Sequence, residues 1–126
     1  MPRKAQDVTD AELALMHILW EREEATVRDF VNRLYPSGTP SDLATVQKLL
    51  KRLENKGYVT RNRKTWPHLF RAQLQKEDLI ERRLRKTADA LCAGDMSPLL
   101  TNLVKSQNFT RKDVKVLRDL LDDLES

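Results

Sequence analysis

The chain has 126 residues, of which 40% are hydrophobic and 33% charged, with a net charge of +4. That length accommodates one compact domain, or a small domain with an appendage. The balance is too apolar for a disordered chain and too polar for a membrane protein. A single cysteine, Cys92, excludes an internal disulfide or a multi-cysteine metal site. The stretch Met1 to Asp7 holds basic residues with no apolar run behind them, so it does not read as a secretory signal. The expectation is a cytoplasmic, mainly helical protein without a cofactor.

In chain order, Thr9-Asp10-Ala11-Glu12 has the spacing of a capping box. Leu13, Met16 and Trp20, widened by Ile18 and Leu19, give the first helix its apolar face, and the stripe stops near Glu21 to Glu24. Thr26 with Asp29 starts a second helix, with Val27, Phe30, Val31 and Leu34 as its buried side. The cluster Tyr35-Pro36-Ser37-Gly38-Thr39-Pro40 predicts a turn. Ser41 or Asp42 is the expected cap of a third helix carrying Leu43, Val46, Leu49, Leu50 and Leu53, which stops at Gly57.

Two β-rich runs follow, Tyr58 to Arg61 and Leu69 to Leu74, joined by the basic loop Asn62 to His68, and they read as a hairpin. Three helices and a hairpin make a winged helix-turn-helix over residues 1–74. From Gln75 the pattern is helical alone. One amphipathic helix runs through Leu79, Leu84 and Leu91 to the breaker Ala93-Gly94-Asp95. Ser97-Pro98 reads as an N-cap followed by proline at the first helical position. Thr110 with Asp113 caps a last helix.

Residues 75–126 offer too little core to be stable alone. Their leucines, namely Leu84, Leu91, Leu99, Leu100, Leu103, Leu117, Leu120, Leu121 and Leu124, are expected to meet a second copy, which makes this segment a helical dimerisation domain. The other reading is that they fold back on the N-terminal domain.

Charge separates the two parts. Residues 1–74 hold 13 Lys and Arg against 9 Asp and Glu, whereas residues 75–126 hold 10 of each. Between Leu43 and Arg71 there are eight cations and one acid, Glu54. That concentration is the footprint of a polyanion-binding surface or, more plainly, of a solvated face.

The inventory does not support catalysis. His17 lies on a helix flank and His68 in the hairpin loop, neither beside an acid or a thiol. Cys92 has no adjacent cation to favour its thiolate and reads as a small buried hydrophobe. No phosphate loop, metalloprotease helix or nucleophile elbow is present.

A helix-turn-helix places the N-terminal part of its second helix against base edges in the major groove. Here that part is Ala44, Thr45, Gln47 and Lys48, with Lys51 and Arg52 a turn further on. Gln suits adenine, Thr can bond an edge or touch a thymine methyl, and Lys51 and Arg52 suit phosphate. Arg61, Arg63 and Lys64 extend the cationic set onto the hairpin, where Trp66 is expected to pack rather than touch DNA.

Two segments carry a family resemblance. Thr9-Asp10-Ala11-Glu12 through Leu19-Trp20 resembles the opening helix of the penicillinase repressor family, of the BlaI/MecI/CopY type. Ala44-Thr45-Val46 through Leu49-Leu50, Arg52-Leu53 and Lys56-Gly57-Tyr58-Val59 resembles its recognition segment. The resemblance implies a homodimeric transcriptional repressor on a palindromic double-stranded operator, with DNA contacts at Ala44, Thr45, Gln47, Lys48 and Arg52. Lys48 stands where many relatives have threonine and Ala44 where lysine is frequent, which implies a different operator.

Copper-responsive members end in paired Cys-x-Cys motifs, and the tail Leu120 to Ser126 has none. In the β-lactam branch a membrane sensor protease cuts an Asn-Phe bond in a dimerisation helix. The corresponding pair here is Asn102-Leu103, whereas the literal Asn108-Phe109 falls in a predicted turn. Two other classes share the fold: a winged-helix protein-interaction module without nucleic acid, and a regulator sensing a small ligand at a dimer interface.

Overall fold

The computed structural model describes residues 6–126, so most of the Met1 to Asp7 stretch lies outside the described residues. The order is α1 (Asp10–Arg22), β1 (Glu24–Ala25), α2 (Val27–Leu34), α3 (Pro40–Lys56), β2 (Val59–Asn62), β3 (Leu69–Ala72), α4 (Lys76–Cys92), α5 (Ser97–Lys105) and α6 (Arg111–Glu125). It divides into two compact units, Met1–Leu79 and Ile80–Ser126. The boundary falls a few residues beyond Leu74 because Leu79, on the first turn of α4, is buried with Leu74 in the core of the first unit.

Four helices begin with the same device. Thr9, Thr26, Thr39 and Thr110 each accept a hydrogen bond from the amide three residues on, and Glu12, Asp29, Asp42 and Asp113 answer by accepting from the threonine amide. Each pair satisfies two amides that a helix start would leave open. The cap of α3 is therefore Thr39 rather than Ser41 or Asp42: Pro40 takes the first helical position, where its missing N–H costs nothing. In α5 the expected cap Ser97 is already inside the helix, and its amide donates to Asp95 Oδ1 at 2.9 Å.

The sheet has three strands where the sequence predicts two. Its order is β1-β3-β2, all antiparallel, with Glu24 opposite Arg71 and Arg61 opposite Phe70. At two residues, β1 is too short to show the alternation by which a strand is recognised. The Glu24–Arg71 ion pair, 3.1 Å long, ties it to β3.

The core of the first unit joins α1, α2, α3 and the sheet through Leu15, Met16, Leu19, Phe30, Val31, Val46, Leu50, Leu53 and Phe70. The α3 helix ends at Gly57, whose φ of +80° closes the last turn in a conformation that disfavours a side chain. Just before it, Lys56 Nζ donates to the fully buried Glu12 at 2.7 Å and to the Asp7 carbonyl at 3.0 Å. Burial by itself would raise the Glu12 carboxyl. The Lys56 hydrogen bond, with the Thr9 amide and hydroxyl, outweighs it and holds the carboxyl below the usual range. The pair locks the start of α1 onto the end of α3.

The second unit is built differently. Ala88 is its one buried side chain among the described residues. Cys92, expected buried, is a half-buried free thiol at the end of α4. Leu84, Leu91, Leu100, Leu103, Leu120, Leu121 and Leu124 are exposed, whereas Leu99 and Leu117 are half-buried. Ile80, Val104 and Val116 add to this apolar surface. Between α5 and α6 lies a groove of about 320 Å³, lined by Leu103, Phe109, Val116, Leu117 and Leu120. Among the described residues, no helix is long and apolar enough to cross a membrane.

Candidate nucleic-acid interface

The α3 helix sorts its residues by side. Val46, Leu50 and Leu53 are wholly buried and Leu49 nearly so, which leaves Ala44, Thr45, Gln47, Lys48, Lys51 and Arg52 exposed. A period of 3.6 residues with that split forces the cations outward. Among the described residues, none of Lys48, Lys51 or Arg52 forms an ion pair within the chain. Their charges remain available to a polyanion.

Two of the expected contact residues are more constrained than the sequence suggests. The Thr45 hydroxyl donates to the Ser41 carbonyl at 3.0 Å, so it presents its methyl and a lone pair outward rather than a free donor. Gln47 sits on the flank of α3 nearest the hairpin, sharing a crevice with Trp66, Pro67 and His68.

The wing cations also divide. Arg61 is half-buried: its guanidinium donates to Glu54 at 2.9 Å and lies 4.8 Å from the Phe70 ring centre, on its cross-strand partner. Its role is to fix the hairpin to α3, and its Nε is buried without a partner. Arg63 is exposed, 3.6 Å from the same Glu54, and Lys64 is exposed at the loop. The one acid in the basic stretch is thus occupied by the wing, which leaves the α3 cations uncompensated.

Trp66 departs from expectation. It does not pack into the hairpin but stands 86% exposed, with its ring meeting His68 edge to face at 5.3 Å. Sequence reasoning missed this, along with the crevice that Gln47 shares with Arg28 and His68; only the loop position of Trp66 hinted at it. Trp20, by contrast, turns its indole N–H inward to the Leu74 carbonyl at 2.9 Å. His17 lies edge to face with Trp20, well separated in sequence and element from His68. Among the described residues no group of His, Cys, Asp and Glu is arranged to hold a metal ion.

This architecture is shared. A solved structure of a MarR family protein from Bacillus stearothermophilus superposes with a TM-score of 0.50 at 23% identity, covering 95% of this chain and 74% of that one, which shows the winged-helix fold. The penicillinase repressor of Staphylococcus aureus is 24% identical over 124 residues, 98% of both chains. The methicillin resistance regulatory protein MecI of Mammaliicoccus sciuri is 20% identical over 121 residues, 96% of this chain and 98% of its own. The family model described as Penicillinase repressor matches residues 8–123, nearly the whole length. The chain belongs to the penicillinase repressor family: it is a winged-helix transcriptional regulator and not an enzyme.

Proposed function

We propose that the chain is a homodimeric repressor that binds a palindromic double-stranded operator in the cytoplasm, each copy placing α3 in a major groove. The observation that carries this reading is the split on α3: a sealed leucine face opposite Gln47, Lys48, Lys51 and Arg52, all exposed. Ala44, Thr45, Gln47 and Lys48 face base edges, while Lys51, Arg52, Arg63 and Lys64 meet phosphate. Arg61 acts through the wing it holds.

Two copies pair through the second unit. Leu91, Leu103 and Leu124 are 78%, 60% and 83% exposed there, and this amount of exposed apolar surface is what an association site presents. Pairing also provides the two-fold symmetry that a palindrome requires. Relief follows proteolysis in the same unit by a membrane sensor protease, cutting near Asn102-Leu103 on the exposed side of α5. A severed tail costs the second half-site its tethering and its effective concentration. The literal Asn108-Phe109 lies in the turn before α6, with Phe109 half-buried in the groove.

The test is a mobility shift on duplexes selected by the wild-type chain from a random-sequence pool, run with sedimentation of the free protein. Inverted-repeat duplexes bound by a dimer, with affinity falling steeply as salt rises, are the expected result. A monomer, or binding indifferent to salt, overturns the reading. Incubation with membranes from induced cells, followed by mass spectrometry of the fragments, tests relief: a tail left intact removes the proteolytic step.

A further inference from the structure

The crevice between α3 and the wing is the least explained feature of the first unit. It encloses about 540 Å³ over a floor that includes Leu43 and Phe70, with Arg28, Gln47, Trp66 and His68 on its walls. No carboxylate lines it among the described residues. Trp66 forms its lip and, at 86% exposure, is the most exposed large apolar side chain among the described residues.

We propose that a DNA sugar–phosphate strand runs through this crevice, and that the Trp66 indole closes over its deoxyribose face from the minor-groove side. The inference rests on the operator-binding reading above. If α3 occupies a major groove and the wing reaches the adjoining minor groove, the strand dividing those grooves has to pass between them. The lining fits such an occupant. Arg28 supplies cationic charge for a phosphate, while the apolar floor suits the sugar carbons. An indole carries a broad apolar face with an N–H at its rim, so it can cover a sugar and still bond a neighbouring oxygen. Minor-groove proteins also bring apolar side chains to the duplex, there as wedges between base steps.

The probe is a duplex that the wild-type chain shifts, selected from the random pool. Trp66→Ala is expected to weaken binding about tenfold, in line with the loss of one aromatic contact to nucleic acid. The slope of affinity against salt should stay unchanged, because no phosphate-neutralising charge is lost. Trp66→Phe keeps most of the affinity. Since Trp66 is exposed, neither variant should shift the melting temperature.

A second readout uses the chain's two tryptophans. In Trp20→Phe, Trp66 alone emits, and duplex binding should move its emission to shorter wavelength and shield it from acrylamide. If Trp66→Ala binds like the wild type, or if Trp66 stays unshielded on a duplex the protein demonstrably binds, the strand placement is wrong while operator binding stands. Loss of self-association in Trp66→Ala would assign the indole to a second copy and overturn it as well. Failure of the wild-type chain to shift any duplex removes both readings.

Discussion

The two units face the same composition problem and answer it in opposite ways. The first buries Leu15, Met16, Phe30, Val31, Leu50, Leu53 and Phe70 against one another and closes itself with capping boxes and an ion pair. The second has three well-formed helices and, among the described residues, no large side chain buried. Helix formation and core formation are thus separable. Periodicity forms α4, α5 and α6, with a capping box at α6, but three helices in 47 residues cannot enclose a core of their own. The leucines left over stay on the surface of the second unit.

The sharpest way to break this contrast is to remove the same residue type from both units. Leu50→Ala in α3 is expected to cost about 3–5 kcal/mol, since it leaves a cavity in a fully buried site. Leu124→Ala should stay within about 0.5 kcal/mol in the monomer. Denaturant unfolding followed by circular dichroism measures both, and equal losses would erase the distinction between the units.

Next in size is the lock between α1 and α3. Lys56→Met strands the Glu12 carboxylate, which is already buried with Oε2 unpartnered, and should cost about 3 kcal/mol. Glu12→Gln should cost less, because Lys56 is partly solvated and keeps the Asp7 carbonyl. The sign of the pH effect follows from the lowered Glu12 pKa. The pair's contribution is complete above the ordinary carboxylate range and is lost as pH falls through the lowered folded value. Wild-type stability should therefore drop more steeply with acid than that of Glu12→Gln, as thermal melts across pH 3–7 would show.

Smaller effects separate the surfaces by what they touch. Lys48→Ala and Arg52→Ala are expected to weaken duplex binding by about 1–3 kcal/mol each for a good contact, with no change in melting temperature. Leu103→Asp in the second unit should instead shift the sedimenting species toward monomer while leaving unfolding of the first unit unaltered. If Leu103→Asp lowered first-unit stability, the exposed leucines would be serving the chain's own fold rather than a second copy.

Much of this was legible in the amino-acid order. Three of the four capping boxes, the leucine face of α3, the stop at Gly57 and the break after α4 are all local, depending on residues within a turn of one another. The fourth cap was missed because Pro36 and Pro40 made Thr39 look like turn, although proline fits the first helical position. Which α3 residues stay outside was visible because a buried face at helical spacing dictates it.

What tertiary structure alone decided are the choices between equivalent partners. Nothing near Glu24 announces that it pairs with Arg71, 47 positions away, and so adds a strand. Three arginines and lysines along the wing look alike in sequence, yet register sets Arg61 opposite Phe70 and within reach of Glu54, which withdraws it from the surface while Arg63 and Lys64 stay outside. Trp66 would ordinarily be assigned to a core, and only the hairpin's geometry leaves it in solvent. Local periodicity fixes which face of an element is apolar. Which distant side chain meets that face, and which large residue is left over, depends on contacts that no short stretch of chain contains.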